Sequence, residues 1–288
     1  MHTFRVAALA LLVALLSSPA FGQASRTITR TFELSRTADV ALSAYKGRID
    51  VRSVDGTTAR VEVRIEGDEA SVDQTRIRFD ASGDRLEIET DYDEVEDAQS
   101  FFGLFNWGSV DRPATNYTLE IPRTAALDVE TYSAATTVTG PVGALEFEAY
   151  SADLTADRVG GPLRASTYSG TVQITRGGGE VEMDTYSGDL RADSLSGPVA
   201  FTSYSGSATL GFAALTDDCR FESFSGTVAL TLPAEAGAVV ETSASAFESD
   251  IPARTEPLGD DRIRATIGEG GPTLRFETFG GTLSLRRP

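Results

Sequence analysis

The chain has 288 residues, of which 25 are Lys or Arg and 43 are Asp or Glu, so its formal net charge is −18. This acidity argues against nucleic acid as a partner, because phosphate groups and the protein would repel each other. The single histidine is His2, at the extreme N-terminus, so a folded domain has no histidine for a catalytic triad or a metal site. The single cysteine, Cys219, cannot form an internal disulfide.

The first 24 residues have the pattern of a secretory signal peptide. Arg5 is followed by an apolar run over residues 6–16 and by a small-residue segment, "SSPAFGQA", over residues 17–24. Cleavage after Gly22 or after Ala24 fits this pattern equally well. The apolar run is too short for a permanent membrane helix, and no cysteine lies at the cleavage site for lipid attachment. We expect a mature protein without a transmembrane segment, located in the periplasm or outside the cell.

Residues 25–115 alternate between apolar and polar side chains in several short stretches, among them "GRIDVRSV", "ARVEVRIEG" and "DRLEIETDY". Such alternation predicts strands, here forming degenerate N-terminal β-coils. The stretch "DEVEDAQSFFGLFNWGSVDRPA", residues 93–114, breaks the alternation. It is acidic first and aromatic afterwards, and it predicts a loop inserted between coils.

Residues 116–288 contain a repeat marked by an aromatic residue that is usually followed by Ser-Gly. From Tyr132 to Tyr204 the marker returns every 18 residues, and the next step is 20. Tyr45 marks an outlying copy, Ser243 holds the marker position in a degenerate copy, and Phe279 follows 36 residues after that. The aromatic column consists of Tyr132, Tyr150, Tyr168, Tyr186, Tyr204, Phe224 and Phe279.

Apolar residues alternate with polar residues on both sides of each marker, as in "LEFEAYSADLTA" around Tyr150. Period-2 alternation interrupted at a fixed phase by Gly-containing turns predicts one coil of a β-solenoid for every 18 residues or so. The fold class is therefore all-β, a single-stranded β-helix-like solenoid that continues from the N-terminal coils. A β-sandwich of hairpins is the rival, but it gives no reason for residue types to recur in register. Because no hexapeptide repeat is present, we expect right-handed winding.

Each residue of the triplet has an expected local role. The Gly allows a turn where a Cβ would clash, and the Ser hydrogen-bonds to the turn backbone. The aromatic ring stacks on its copy one coil away. In this interpretation the aromatic column is structural, and each ring pair contributes about 0.5–1.5 kcal/mol. The alternative is that the rings stack on sugars, as in a glycan-binding module.

Three stretches carry a family resemblance. They are "NYTLEIPRTAALDVETYSA" from Asn116, the turns "YSGTV", "YSGDL" and "FSGTV", and the closing "IGEGGPTLRFETFGGTLSL". They resemble a DUF4097-like family of exported bacterial β-strand-repeat proteins of the adhesin type. The resemblance covers most of the chain and implies a solenoid and export, but no reaction and no catalytic residue. The chain departs from the motif at Ala134 and Ala152, which replace Gly; those turns are expected to be of another type.

The aromatic loop is the candidate partner-binding site. Phe101, Phe102, Phe105 and Trp107 lie within eight residues, and Trp107 is the only tryptophan of the chain. Exposed aromatic clusters often mark interfaces. The alternative is a plug that covers one side or one end of the solenoid, since solenoids need capping.

The polar columns offer a weaker enzymatic alternative. Asp153 and Asp189 would lie two coils apart, roughly 9.6 Å at the usual strand spacing, and carboxylate pairs near this separation hydrolyse glycosides. Asp in a turn more often makes local hydrogen bonds. Calcium between carboxylates is a further alternative, although the glycine-rich calcium-binding repeat is absent. Cys219 lies in an apolar column and is expected to be an inert core thiol.

From the sequence alone we predict an exported, non-enzymatic protein that serves as an adhesin-like binding or structural module at the cell envelope. It has no catalytic, cofactor-binding or metal-binding residues in this interpretation. Its expected partner is an envelope protein or a glycan. The alternatives are a carbohydrate-active enzyme that uses paired carboxylates and a glycan-binding module that uses the aromatic column.

Overall fold

The computed structural model describes residues 24–92, 112–243, 246–259 and 262–288. Of the described residues, 67% lie in strands and 2% in helix, so the fold is nearly all β. The strands form one sheet of 12 strands and one of 13. The predicted all-β, solenoid-like class is confirmed, whereas the handedness of the winding stays a prediction.

Six regular coils form the middle of the molecule, and each consists of two strands joined by the aromatic turn. The first strand of every coil lies in the 13-stranded sheet and the second in the 12-stranded sheet. The coils are β8 (Ala126–Thr131) with β9 (Ala135–Val142), β10 (Leu145–Ser151) with β11 (Leu154–Val159), β12 (Leu163–Ser169) with β13 (Thr171–Gly177), β14 (Val181–Thr185) with β15 (Asp189–Leu195), β16 (Val199–Ser203) with β17 (Ala208–Phe212), and β18 (Cys219–Ser223) with β19 (Thr227–Thr231).

Successive coils pair in parallel, and most of them keep an offset of 18 residues. Leu145 lies opposite Leu163, which in turn lies opposite Val181. Hairpins of a β-sandwich would pair neighbouring strands antiparallel, so this arrangement rejects the sandwich.

The core lies between the two sheets and follows directly from the alternation. In β10 the side chains of Leu145 and Phe147 are buried, whereas Glu146 and Glu148 face solvent. Phe147, Phe201 and Phe221 recur at the same column of the inner face, and each is fully buried. Burial of such side chains contributes about 1.5–3 kcal/mol each, and every coil depends on its neighbours for it.

The N-terminal part combines coils with antiparallel strands. Its elements are β1 (Ala24–Glu33), β2 (Asp39–Ala44), β3 (Gly47–Val54), β4 (Thr58–Gly67), α1 (Glu69–Gln74), β5 (Arg76–Ser82), β6 (Arg85–Asp91) and β7 (Ala114–Pro122).

Two of these pairs of strands extend the solenoid. The coil β2–β3 pairs in parallel with β8 and β9 on one side, and with β6 and β7 on the other. Strands β1, β4 and β5 are antiparallel to their neighbours. The predicted boundary at residues 115/116 falls inside β7, which joins the two parts in one sheet.

The C-terminal part contains β20 (Ala238–Thr242), β21 (Ala246–Ser249), β22 (Ala253–Gly259), β23 (Arg262–Ile267), β24 (Thr273–Thr278) and β25 (Thr282–Arg286). The last coil, β24–β25, lies between β18–β19 and β20–β21, out of chain order. Strand β23 then pairs antiparallel with β20, and β22 with β23.

This arrangement corrects two expectations. Phe279 was expected two coils beyond Ser243, but it lies one coil from Phe224, because the chain returns to fill a place between earlier coils. Before the turn, the columns assigned around Ser243 are wrong by two residues, because Val240 pairs with Leu274 and Thr242 with Phe276. After the turn the assignment agrees with the pairing, because Phe247 lies opposite Leu283.

Candidate functional site

The candidate site is the aromatic ladder, the stack of eight rings formed by Tyr45, Tyr132, Tyr150, Tyr168, Tyr186, Tyr204, Phe224 and Phe279. Neighbouring ring centroids are 4.8–5.2 Å apart and neighbouring planes differ by at most 9°. The sheet sets this spacing, because each ring belongs to its own coil and adjacent strands lie about 4.8 Å apart. The rings of the predicted aromatic column are therefore stacked on each other.

The aromatic ladder is nevertheless a surface feature. Seven of its rings are exposed, from 37% for Tyr132 to 81% for Phe279. With about 200 Å² for a whole aromatic side chain, these seven residues present roughly 700 Å² to solvent. That area exceeds the largest apolar patch of a typical monomeric protein, which is about 300–600 Å².

The turns beneath five of the eight rings are held by a hydroxyl that the sequence analysis did not single out. The Oγ of Ser203, immediately before Tyr204, accepts a hydrogen bond of 2.6 Å from the N–H of Gly206. Thr185 and Ser223 accept the equivalent bonds at 2.8 and 2.7 Å. The signal was present as a Thr or Ser directly before most of the ring residues, at a position that the alternation assigns to the buried face.

In the coils that have glycine after the Ser, the neighbouring coil leaves no room for a Cβ. A Cβ on Gly206 would lie 1.9 Å from the carbonyl oxygen of Gly188, one coil away. The clash expected from the sequence is thus an inter-coil contact, and it keeps the turns closely stacked under the rings.

The two ends of the aromatic ladder differ. At the N-terminal end, the guanidinium carbon of Arg112 lies 4.2 Å from the ring centroid of Tyr45, and Tyr92 meets the same ring edge to face. At the other end, Phe279 stacks on Phe224 through one face only among the described rings. One end is thus covered by a cation and a ring, while Phe279 is the most exposed large hydrophobic residue described.

Tyr92 and Arg112, the described residues that flank the aromatic part of the predicted loop, both contact Tyr45 at this N-terminal end. The predicted partner-binding residues Phe101, Phe102, Phe105 and Trp107 lie outside the described residues. In the coil β6–β7 the stretch between Glu89 and Thr115 takes the place of the aromatic turn, since Ser43 pairs with Glu89 and Gly47 with Thr115. The separation of this stretch from the repeats in the sequence gave no sign that its described ends, Tyr92 and Arg112, lie beside Tyr45.

A carboxylate row runs beside the aromatic ladder on the same outer face, two residues before each ring. Parallel pairing places Glu89, Ser43, Glu130, Glu148, Ser166, Asp184, Thr202, Glu222 and Glu277 in this row. Six of the nine are carboxylates and none is basic. Burial, together with the charge of Glu148, raises the pKa of Glu130, and burial with Glu146 raises that of Asp128.

Asp153 and Asp189 stabilise turns. The carboxylate of Asp153 accepts a 2.7 Å hydrogen bond from the N–H of Thr171, and that of Asp189 accepts one of 3.1 Å from Ser207. Asp189 also pairs with Arg191 at 3.0 Å. Both side chains therefore tie one coil to the next, a structural role between coils and not the local hydrogen bonding expected from the sequence.

Cys219 is buried, and burial raises the pKa of its thiol to about 11. The thiol is consequently uncharged near neutral pH and a poor nucleophile. Over the described ranges, no group of three or more His, Cys, Asp or Glu side chains is placed to hold a metal ion. No helix in that part of the chain is long and apolar enough to cross a membrane.

A family model described as Toastrack DUF4097 matches residues 41–286. Three crystal structures are similar in fold at low identity. A "putative adhesin" of Bacteroides fragilis is 12% identical, with 91% of this chain and 97% of that chain covered and a TM-score of 0.38. A "putative lipid binding protein" of Parabacteroides distasonis is 13% identical (90% and 96% covered, TM-score 0.37), and a "putative adhesin" of Parabacteroides merdae is 13% identical (90% and 95%, TM-score 0.33). No protein of curated function matches.

Proposed function

The chain belongs to the Toastrack DUF4097 family, and we propose that it is an exported, non-enzymatic, adhesin-like binding module of the cell envelope. Its contact surface in this proposal is the aromatic ladder. The partner is an envelope protein or glycan, as expected from the sequence.

The exposure of the aromatic ladder carries this proposal. A stack that served only to stabilise coils would gain most if its outer edges were also covered by protein. Here seven rings instead leave 37–81% of their surface in water, in a continuous line along the solenoid. Aromatic side chains of this kind dominate protein interfaces, because they bury much apolar area with little loss of side-chain freedom.

The enzymatic alternative has little support. It drew on Asp153 and Asp189, and each of these carboxylates is engaged with a backbone N–H of the next coil. We expect that Asp153→Asn/Asp189→Asn protein loses thermal stability, while wild type and variant alike show no hydrolase or lyase activity on polysaccharides. Turnover by wild type that the double variant lacks would reverse this conclusion.

Export is proposed from residues 1–24, which have the features of a cleavable signal peptide. Mass spectrometry of the protein recovered from a bacterial host's periplasm and medium tests this. The expected new N-terminus is residue 23 or residue 25. An intact Met1 in the cytoplasmic fraction alone would contradict export.

The binding function is tested with residues 24–288, which contain every described element, in a screen against envelope glycans and envelope-protein extract. Three forms are compared: wild type, Phe279→Ser, and a form in which residues 101–108 are a Gly/Ser linker. Exposed Thr155→Ser on the other sheet is the matched control, and far-UV circular dichroism checks that all forms are equally β-rich. Binding that weakens in Phe279→Ser but not in Thr155→Ser supports the proposed surface.

Other outcomes of the screen are equally informative. Loss of binding only in the linker form would move the site to the aromatic loop. No binding by any form would contradict a recognition role and leave a structural one.

A further inference from the structure

We propose that the aromatic ladder and the carboxylate row beside it bind a basic polypeptide segment that lies along the axis of the solenoid. This inference rests on the proposed binding function and specifies the chemistry of the partner. Three observations support it: the exposed edges of the rings, the line of carboxylates beside them, and the short distance between the two.

The aromatic ladder and the carboxylate row share one face because residues two apart along a strand point to the same side. In β10, Glu148 and Tyr150 both point outward, and the same two-residue separation recurs in every regular coil. Two residues along a strand span about 6.8 Å. The two features therefore run side by side for the length of the ladder, seven ring steps of 4.8–5.2 Å or about 35 Å.

Much of the negative charge in the carboxylate row is not neutralised by the protein itself. Glu222 pairs with Arg220 and Glu89 lies 4.0 Å from Arg78. Neither Glu148 nor Asp184 forms an ion pair with any residue that the structure describes. Burial is the main cause of the raised pKa of Glu130, and the neighbouring charges of Glu148 and Asp128 raise it further. A cationic partner would relieve the repulsion between these carboxylates.

One ring of the aromatic ladder already contacts a cation within the protein. Arg112 lies over the ring of Tyr45 at 4.2 Å from the centroid, a cation–π contact that closes the N-terminal end of the stack. The exposed ring of Phe279 offers the same kind of surface at the other end. Arg and Lys side chains also place their aliphatic stems against apolar surface while the charged group reaches a carboxylate.

An extended peptide fits the two parallel features. Its side chains alternate between two sides, so one set would contact the ring edges while the other set reaches the carboxylate row. At about 3.4 Å per residue, a segment of about ten residues spans the ladder.

Two other occupants fit less well. A second copy would bring an identical carboxylate row against the first, on a chain whose net charge is already −18. Sugar rings stack on aromatic faces, but the faces of the inner rings are covered by their neighbours at about 4.9 Å. The edges and hydroxyl groups that remain suit a peptide better than a line of stacked sugars.

The test measures binding of fluorescein-labelled twelve-residue peptides to residues 24–288 by fluorescence anisotropy at low and physiological salt. The probe alternates Arg and Leu; comparison peptides alternate Glu and Leu, or Arg and Ser. The protein variant is Glu148→Gln/Asp184→Asn. The matched control, Asp73→Asn/Glu235→Gln, removes two charges from exposed positions away from this face.

We expect the Arg–Leu peptide to bind and the Glu–Leu peptide not to bind. The row variant should weaken binding about fivefold or more at low salt, since each exposed ion pair accounts for up to about fivefold, and the control less than twofold. The Arg–Ser peptide should bind more weakly than the Arg–Leu peptide, because it lacks side chains for the rings. This last comparison needs no protein variant and therefore does not depend on folding.

Equal weakening by the row variant and its control, or equal binding of the Arg–Leu and Arg–Ser peptides, would overturn the inference in favour of unspecific attraction. A dimer in sedimentation that excludes the peptide would identify a second copy as the occupant. If the envelope screen yields a neutral or acidic ligand while the peptides fail, the inference fails and the proposed function stands. If both fail, the proposed function fails with it.

Discussion

Removal of one ring from the middle of the aromatic ladder tests whether the stack stabilises the solenoid. Tyr186 has a ring neighbour on each side, with centroids 4.9 Å away and planes within 5°. Phe279 has one described ring neighbour, at 5.1 Å. Tyr186→Ala should therefore destabilise the protein more than Phe279→Ala, and Tyr186→Phe should have little effect because the ring remains.

The magnitude follows from burial. Tyr186 is 46% exposed, so with about 200 Å² for the whole side chain roughly 100 Å² is covered, worth about 2.5 kcal/mol. Loss of two stacking contacts increases this destabilisation, and the Cβ that alanine retains decreases it, so the expected total is about 3 kcal/mol. Phe279 is 81% exposed and covers only about 40 Å², worth about 1 kcal/mol.

Urea unfolding followed by far-UV circular dichroism measures the difference, with the m-value checked for constancy. We expect a gap of about 2 kcal/mol between the two alanine variants and a change below about 0.5 kcal/mol for Tyr186→Phe. If Tyr186→Ala costs no more than Phe279→Ala, the stack does not stabilise the coils, and the aromatic ladder is a surface feature alone.

Four further predictions concern single sites. Ser203→Ala leaves a buried N–H without its acceptor and should cost about 1–3 kcal/mol in urea unfolding, whereas Ser203→Thr keeps the acceptor and should cost far less. Gly206→Ala places a Cβ 1.9 Å from a carbonyl oxygen and should lower the melting temperature markedly; Gly83→Ala, with no atom within 4 Å of its Cβ, should not. Because burial raises the pKa of Cys219 to about 11, the thiol should resist Ellman's reagent at pH 8 until the protein unfolds. Its contribution to stability should be lost as pH rises from about 8.5 towards 11, because the thiol of the unfolded chain loses its proton over that range while the buried thiol keeps it. Glu130→Gln should stabilise the protein at pH 7, because the carboxylate, whose pKa is raised by burial, is charged there. The gain in stability should vanish in acid, where the carboxylate of the wild type is protonated, and thermal melts at pH 7 and pH 4 measure the difference.

The regular coils could be predicted because one pattern encodes both the strand and its neighbour. The alternation in "LEFEAYSADLTA" identifies the buried face, and the 18-residue return identifies which residues lie opposite each other. Leu145 therefore pairs with Leu163, and Tyr150 stacks on Tyr168, as the columns require. This register alone was enough to predict that the aromatic residues form one column.

The ends of the solenoid could not be predicted from the same pattern. A repeat fixes the register between coils, but it does not say which coil is the neighbour of which. The last coil bears Phe279 and fits equally well beside any coil with an aromatic turn, so its insertion next to Phe224 depends on the ends of the sheet and on the antiparallel strands there. Arg112 illustrates the same limit, because nothing in a non-repeating stretch indicates that it lies over Tyr45.

The geometry of the stack also explains how one set of side chains can serve both stability and recognition. Backbone hydrogen bonds between coils hold the ring centroids about 4.9 Å apart, which exceeds the contact distance of two flat rings and therefore requires them to stack with an offset. The faces are used within the protein, while the edges and hydroxyl groups stay in solvent, as the 46% exposure of Tyr186 indicates. A partner can thus bind along the edges without separating any pair of rings, so recognition does not have to compete with the contacts that stabilise the coils.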